Sequence, residues 1–188
     1  MYEKRSSRQN TAMNQLGERL AQGDQAAFAE LYDACADRIH HYLVAYLGSP
    51  EDADDVLQET FVRLARGRKR LAGVDNLAGY AFAVARNEAM RLAGRKARRG
   101  QVRTAASGDA LFRAAAGADL EARETAELVA TALGRLAPEC REVVELKTYA
   151  GLTFREIGEV TGQPVGTVAT RYRTALGRLR RWLVGERP

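Results

Sequence analysis

The stretch TFREIGEVTGQPVGTVATR, residues 153–171, decides the fold. Thr153 followed three residues later by Glu156 is a capping box, so a helix starts there. A helix-turn-helix needs a small residue facing the partner helix, a glycine four positions on for a left-handed turn, and a β-branched residue six further on. Gly158, Gly162 and Val168 stand at those spacings, with Pro164 breaking the first helix. The second helix then enters a DNA major groove by its N-terminal end. That places Thr167, Thr170 and Arg171 at the groove and Arg173 on phosphate. Residues 171–181 hold five arginines and no acid, which favours DNA over a plain helical hairpin.

Working outward, Leu128, Val129, Ala132, Leu133 and Leu136 keep helical spacing, and a further helix follows Pro138. The second half is therefore predicted to be a four-helix domain over 122–188. Between 104 and 121 the pattern dissolves into Ala, Gly, Ser and scattered charge, the composition of a flexible linker. Upstream, Asp24 is placed to cap a helix with the stripe Phe28, Leu31, Tyr32, Cys35, Ile39, Tyr42, Leu43, Tyr46 and Leu47, closed by Gly48. Ser49-Pro50-Glu51-Asp52 starts another, with the stripe Ala53, Val56, Leu57, Thr60, Phe61 and Leu64. A third runs from about Asn76 to about Arg95. No run alternates like a strand. The fold class is all-α: a tail and lead-in over 1–22, a helical domain over 23–103, a linker, and the helix-turn-helix domain.

Composition narrows the function. The chain has 188 residues, 46% hydrophobic and 28% charged, with two cysteines far apart and two adjacent histidines. A disulfide framework, a zinc knuckle and a His-based catalytic centre have too little material. No metal or cofactor is predicted. Apolar runs stop at six residues, against roughly 20 needed to span a bilayer, and the N-terminus lacks the apolar core of a signal peptide. A cytoplasmic protein without membrane insertion is expected. The net charge of +5 is sorted along the chain. Residues 51–62 carry five acids and no base, whereas 63–103 carry twelve bases against two acids. Two basic blocks and one acidic block predict two polyanion-contacting surfaces and one surface of opposite character.

These residues resemble a family. Leu136-Ala137-Pro138-Glu139-Cys140-Arg141-Glu142-Val143-Val144, then Thr153 to Ile157, then Val165-Gly166-Thr167-Val168, are similar to the C-terminal DNA-binding domain of bacterial sigma factors. Gly23 to Tyr32 resembles the opening of the family's first conserved domain, and Asp54-Asp55-Val56-Leu57-Gln58-Glu59-Thr60-Phe61 its most recognisable segment. Two matched modules in this order resemble the extracytoplasmic-function (ECF) subfamily. The resemblance implies a non-enzymatic transcription initiation factor that binds RNA polymerase core and reads promoter −10 and −35 elements. It implies core binding by Asp54, Asp55, Gln58, Glu59 and Phe61, on the β′ clamp helices, with the β subunit as a further contact. It implies −10 reading and strand opening by Arg86, Asn87, Arg91, Arg95, Lys96, Arg98 and Arg99, an amide for an unstacked base edge and cations for phosphates. It implies −35 reading by Arg155, Val165, Gly166, Thr167, Thr170, Arg171 and Arg173. An anti-sigma factor is a partner it allows. The linker, acidic through Asp109, Asp119, Glu121 and Glu124, is implied to thread toward the polymerase cleft.

The chain departs from the family pattern at several places. Tyr80-Ala81 stands where Trp-Leu is frequent, Arg91 where an acid is frequent, Ala169-Thr170-Arg171 where Lys-Ser-Arg is usual, and Gly158 where alanine is common. These leave the promoter sequence open. His40 or His41 is expected to pack beside Tyr42 or Leu43, Cys35 and Cys140 to be small core residues, and Trp182 to pack the end of the last helix. Two other classes fit less well. A helix-turn-helix regulator with an N-terminal dimerisation or signal domain would bind an operator without polymerase. A metal-dependent nucleic-acid enzyme would have to gather its carboxylates from Glu51 to Glu59.

Overall fold

Short-range capping chemistry sets most helix starts. The computed structural model describes residues 16–99 and 120–184, with the backbone alone at 120–123, 126 and 127. Helix α1 occupies 16–22. Asp24 then accepts hydrogen bonds from the backbone N–H of Ala26 and Ala27, at 2.9 and 3.3 Å, and starts α2 (Gln25–Leu47). Gly48 ends α2 in the left-handed region, φ 73°, its N–H donating to the Val44 carbonyl. Ser49 accepts from Asp52 N at 3.1 Å, with Pro50 in the first turn of α3 (Pro50–Arg66). A 3₁₀ segment, Arg68–Gly73, leads to Asn76, whose Oδ1 accepts from Gly79 N at 2.9 Å and starts α4 (Leu77–Arg98). That helix extends about a turn beyond the sequence expectation. Four more follow: α5 (Leu120–Gly134), α6 (Pro138–Thr148), α7 (Phe154–Thr161) and α8 (Val165–Val184). The described residues contain no strand. The tail over residues 1–9 and the linker through residue 119 lie outside the described residues.

Packing departs from the expected stripes at several places, with Leu128 of α5 65% exposed among them. Tyr32 is 47% exposed and sets its ring 4.8 Å from that of Phe61, outside the core. Leu176 and Leu183 are exposed on α8, where only Val168, Ala175 and Leu179 are buried. Trp182 is 38% exposed, contrary to the expectation that it packs. The physical reason is length: the last turns of α8 carry no buried residue beyond Leu179, leaving Trp182 without a neighbouring layer to enter. Cys35 is buried, its thiol donating to the Leu31 carbonyl at 3.0 Å, and burial pushes that thiol up to about 11. Cys140 is half-buried. His40 is half-buried, its Nε2 3.1 Å from Asp54 Oδ1.

The two halves touch. One continuous apolar core joins Leu31, Ile39, Tyr42, Leu43 and Phe82 of the first half to Val143, Leu146, Leu152 and Ile157 of the second. A smaller cluster of Ala132, Leu133, Leu136, Val144, Ala175 and Leu179 fixes α5 and α6 to α8. Polar contacts follow the same seam. Arg38 donates through Nε to the Ala150 carbonyl at 2.8 Å, and its guanidinium lies 5.6 Å from the Phe82 ring centroid. Asn76 Nδ2 donates to Glu156 Oε1 at 3.1 Å.

Candidate nucleic-acid interface

The helix-turn-helix is built as its spacing predicts. Thr153 Oγ1 accepts from Glu156 N at 3.3 Å, while Glu156 Oε2 accepts from Thr153 N at 2.6 Å, closing the capping box. Gly162 turns the chain at φ 71°. Gly158 is buried so tightly that an added Cβ would lie 2.7 Å from the Gln163 carbonyl oxygen. The Pro164 carbonyl then accepts from Thr167 N and Val168 N at 2.9 and 3.1 Å, starting α8. Val168 is fully buried, which rolls the opposite side of that first turn outward. Val165, Gly166, Thr167 and Thr170 are exposed there. Unpaired N–H groups at a helix N-terminus suit a phosphate. Arg171 Nη1 donates to Gln163 Oε1, which steers the guanidinium back toward the turn. Arg173 is exposed, and Arg155, also exposed, pairs with Glu159 at 3.2 Å.

On α4 the expected cations are mostly outward, and two of these are tethered. Asn87, Arg91, Arg95, Arg98 and Arg99 are exposed. Lys96 forms an ion pair with Asp52 of α3. Glu88, with only 8% of its side chain exposed, accepts from Arg91 Nη1 at 2.8 Å and lies 3.1 Å from Arg63 Nε. Arg63 also reaches Glu59 at 2.8 Å. A cleft of about 570 Å³ opens here, walled by Arg63, Arg66, Arg70, Tyr80, Asn87 and Arg91. Arg86 is the exception. Its side chain is 16% exposed and turned to the second half, where Nε and Nη2 meet the Glu142 carboxylate at 2.6 and 3.1 Å. Burial opposes the guanidinium charge, but the hydrogen bond and attraction of Glu142 outweigh it and hold Arg86 above its ordinary value. Tyr42, fully buried, donates to the same carboxylate at 3.3 Å. Burial, then the charges of Glu142 and Glu145, push the Tyr42 hydroxyl well up.

The acidic helix has a floor that charge counting missed. Asp54, Asp55 and Gln58 are exposed on α3, Glu59 and Phe61 half-buried. Tyr32, Leu57, Phe61, Val62 and Ala65 line a shallow hollow of about 430 Å³, rimmed by Asp54 and Gln58. Tyr32 belongs to this surface; sequence reading had placed it in the α2 stripe. Glu88 and Arg63 were missed as partners of the basic helix, though Glu88 adjoins Asn87 in sequence. Glu142 carried no local signal, since it pairs with a residue 56 positions away. Among the described residues, no three His, Cys, Asp or Glu side chains gather around a point that could hold a metal ion, and no helix is long and apolar enough to cross a membrane.

Residues 31–99 match the family model described as Sigma-70 region 2, and residues 126–179 that of Sigma-70, region 4. The ECF RNA polymerase sigma factor SigE of Mycolicibacterium smegmatis is 31% identical over 180 residues, covering 87% of this chain and 65% of SigE. The chain thus spans just under two thirds of that relative's length. The ECF RNA polymerase sigma factor SigK of Mycobacterium tuberculosis is 30% identical over 187 residues, covering 94% of this chain and 96% of SigK. The fold is shared with CnrH, solved in complex with the cytosolic domain of CnrY: TM-score 0.68, 23% identity, 94% of this chain and 99% of CnrH covered.

Proposed function

We propose, from the premise that this chain belongs to the sigma-70 family and within it to the ECF sigma factors, that it binds RNA polymerase core and directs initiation at promoters with its own −10 and −35 elements. The observation that carries the reading is the presence of two anion-facing surfaces of different design. One is an exposed helix N-terminus with Thr167 and Thr170; the other is a cleft with Asn87, Tyr80 and several arginines. The first suits the regular major groove of duplex DNA, where side chains reach base edges and phosphates fix register. The second suits an unstacked strand, with Asn87 for a base edge, Tyr80 as a stacking face and Arg91, Arg95, Arg98 and Arg99 for phosphates.

The acid-rimmed hollow on α3 is the dock for core polymerase. Its apolar floor supplies contact area, and Asp54, Asp55 and Gln58 supply charge and hydrogen-bonding complementarity to a basic or polar coiled-coil partner, the β′ clamp helices. An anti-sigma factor as a partner, as the sigma factor RpoE of Bartonella quintana is solved in complex with the anti-sigma factor NepR, belongs to the same proposal, as does residence in the cytoplasm with the polymerase. Run-off transcription with core polymerase from the source organism tests the function: a specific transcript is expected only when this chain and core are both present. Tight operator binding by the chain alone, with no transcript, would favour the helix-turn-helix regulator instead. Reversing Asp55 and Glu59 to Lys is expected to weaken core binding in a fluorescence titration while leaving the helical circular-dichroism signal intact.

A further inference from the structure

Glu88 is the single acid of α4, and its side chain is 8% exposed. Burying a carboxylate is costly unless a cation pairs with it. Glu88 has two such cations. Its Oε1 lies 2.8 Å from Arg91 Nη1 and 3.1 Å from Arg63 Nε. Arg91 stands on α4 and Arg63 on α3, so one buried oxygen ties together two walls of the cleft of about 570 Å³. Arg63 Nε also donates to Glu59, at 2.8 Å. In these pairs each guanidinium engages through one nitrogen of a fork that carries five N–H groups. The rest of each fork is left for a ligand of the cleft. Arg66 and Arg70 line the same cleft and keep it positive, with no carboxylate partner among the described residues. Only Arg63 and Arg91 are set in place by a buried acid.

We propose that Glu88 is a positioning residue for the unstacked −10 strand: without touching DNA, it holds Arg63 and Arg91 as two prongs on one backbone phosphate. Arg63, which lies outside the residues assigned to DNA from the sequence, thereby joins them. The proposal rests on the sigma-factor reading for the identity of the strand. Arg91 is one of the places where this chain departs from the family pattern, so the pair of prongs belongs to this sequence. Guanidinium forks hold phosphate through paired, charge-assisted hydrogen bonds. A phosphate contact carries no sequence information, but it fixes register. Asn87 lines the same cleft and precedes Glu88 in sequence. With the phosphate held at one place, the Asn87 amide meets the same base edge each time. With the prongs loose, the cations still bind a strand, but its register shifts and selectivity is lost.

The test is a salt series on two short labelled single strands, read by anisotropy: the −10 strand that the wild-type holoenzyme prefers, and a scrambled one. Log affinity for a single strand falls against log salt with a slope of about 0.7 per phosphate neutralised. In the holoenzyme, Arg63→Gln is expected to lower that slope by about 0.7 and to weaken both strands on the order of tenfold, as loss of one charge-assisted hydrogen bond does. Glu88→Gln is expected to keep the slope, since both cations remain, and to lose most of the preference for the −10 strand. Arg63→Lys keeps the charge without the fork, so it too should keep the slope and lose preference. That variant decides the matter if the circular dichroism of Glu88→Gln shows that it does not fold. An unchanged slope in Arg63→Gln overturns the DNA contact. Intact preference, or a fallen slope, in folded Glu88→Gln overturns the positioning role, and so does intact preference in Arg63→Lys. The salt series can also be run on the chain alone. If run-off transcription fails, the sigma-factor reading falls, while the slope of Arg63→Gln still reports on the phosphate clamp.

Discussion

Helices α4 and α8 hold their cations differently. On α4, Arg91 is tied to Glu88, Lys96 to Asp52 and Arg86 to Glu142, while Arg95, Arg98 and Arg99 have no carboxylate partner among the described residues. On α8, Arg173, Arg178, Arg180 and Arg181 have no carboxylate partner among the described residues, and Arg171 meets only the Gln163 amide. Free arginines are hydrated and adaptable, which suffices for a duplex whose phosphates already lie in regular rows. Tethered ones such as Arg91 and Lys96 are fixed in place at some loss of charge, a setting that would suit an unstacked strand with no geometry of its own, whereas Arg86 is turned inward. The same residue type thus stands in two settings, and neighbouring acids decide which.

The largest expected effect falls on the helix-turn-helix, at Gly158 of α7 where it meets the turn into α8. Gly158→Val is expected to cost about 1–3 kcal/mol of stability, the range for overpacking, because any Cβ there meets the Gln163 carbonyl. Thermal melts and duplex binding read it; single-strand binding by α4 should persist. A variant that melts and binds duplex like the wild type would show that the turn relaxes freely.

The free arginines can then be sorted by position. Arg171→Ala is expected to reorder the ranking of −35 variants and cost about 1–3 kcal/mol at the preferred site. Arg180→Ala, two turns further on, should weaken all sequences alike and lower the salt slope by about one. Binding over single-base variants at two salt concentrations separates them. Identical profiles would leave Arg171 as a phosphate contact. The tethers on α4 give the smallest effect. Glu88→Gln is expected to cost about 1 kcal/mol of stability and to blunt discrimination among −10 variants, with −35 ranking untouched. If −10 discrimination is unchanged, the tether serves folding only.

Sequence reading succeeded where four residues contain the whole physics. Ser49 with Pro50, Asp24, Gly48, Gly162 and the Thr153–Glu156 box each settle a helix end through contacts within a turn. The acidic and basic blocks located the candidate surfaces for the same reason, since charge adds up along one helix face. Periodicity could not tell that Tyr32 turns out to meet Phe61, because both faces of that residue are compatible with a helical stripe. It could not place Trp182, whose surroundings depend on where the neighbouring helices stop. It gave no hint of Arg86 with Glu142, a pairing fixed by how two separately patterned units meet.

Asn76 and Glu156 meet across the seam, yet each keeps one polar atom for its own helix. Asn76 Oδ1 serves Gly79 N while Nδ2 reaches Glu156 Oε1; Glu156 Oε2 serves Thr153 N. The shared bond uses atoms that neither helix start needs. Each side chain thus divides its polar atoms between a local helix start and a partner far away in sequence, so the seam is stitched without borrowing from either cap.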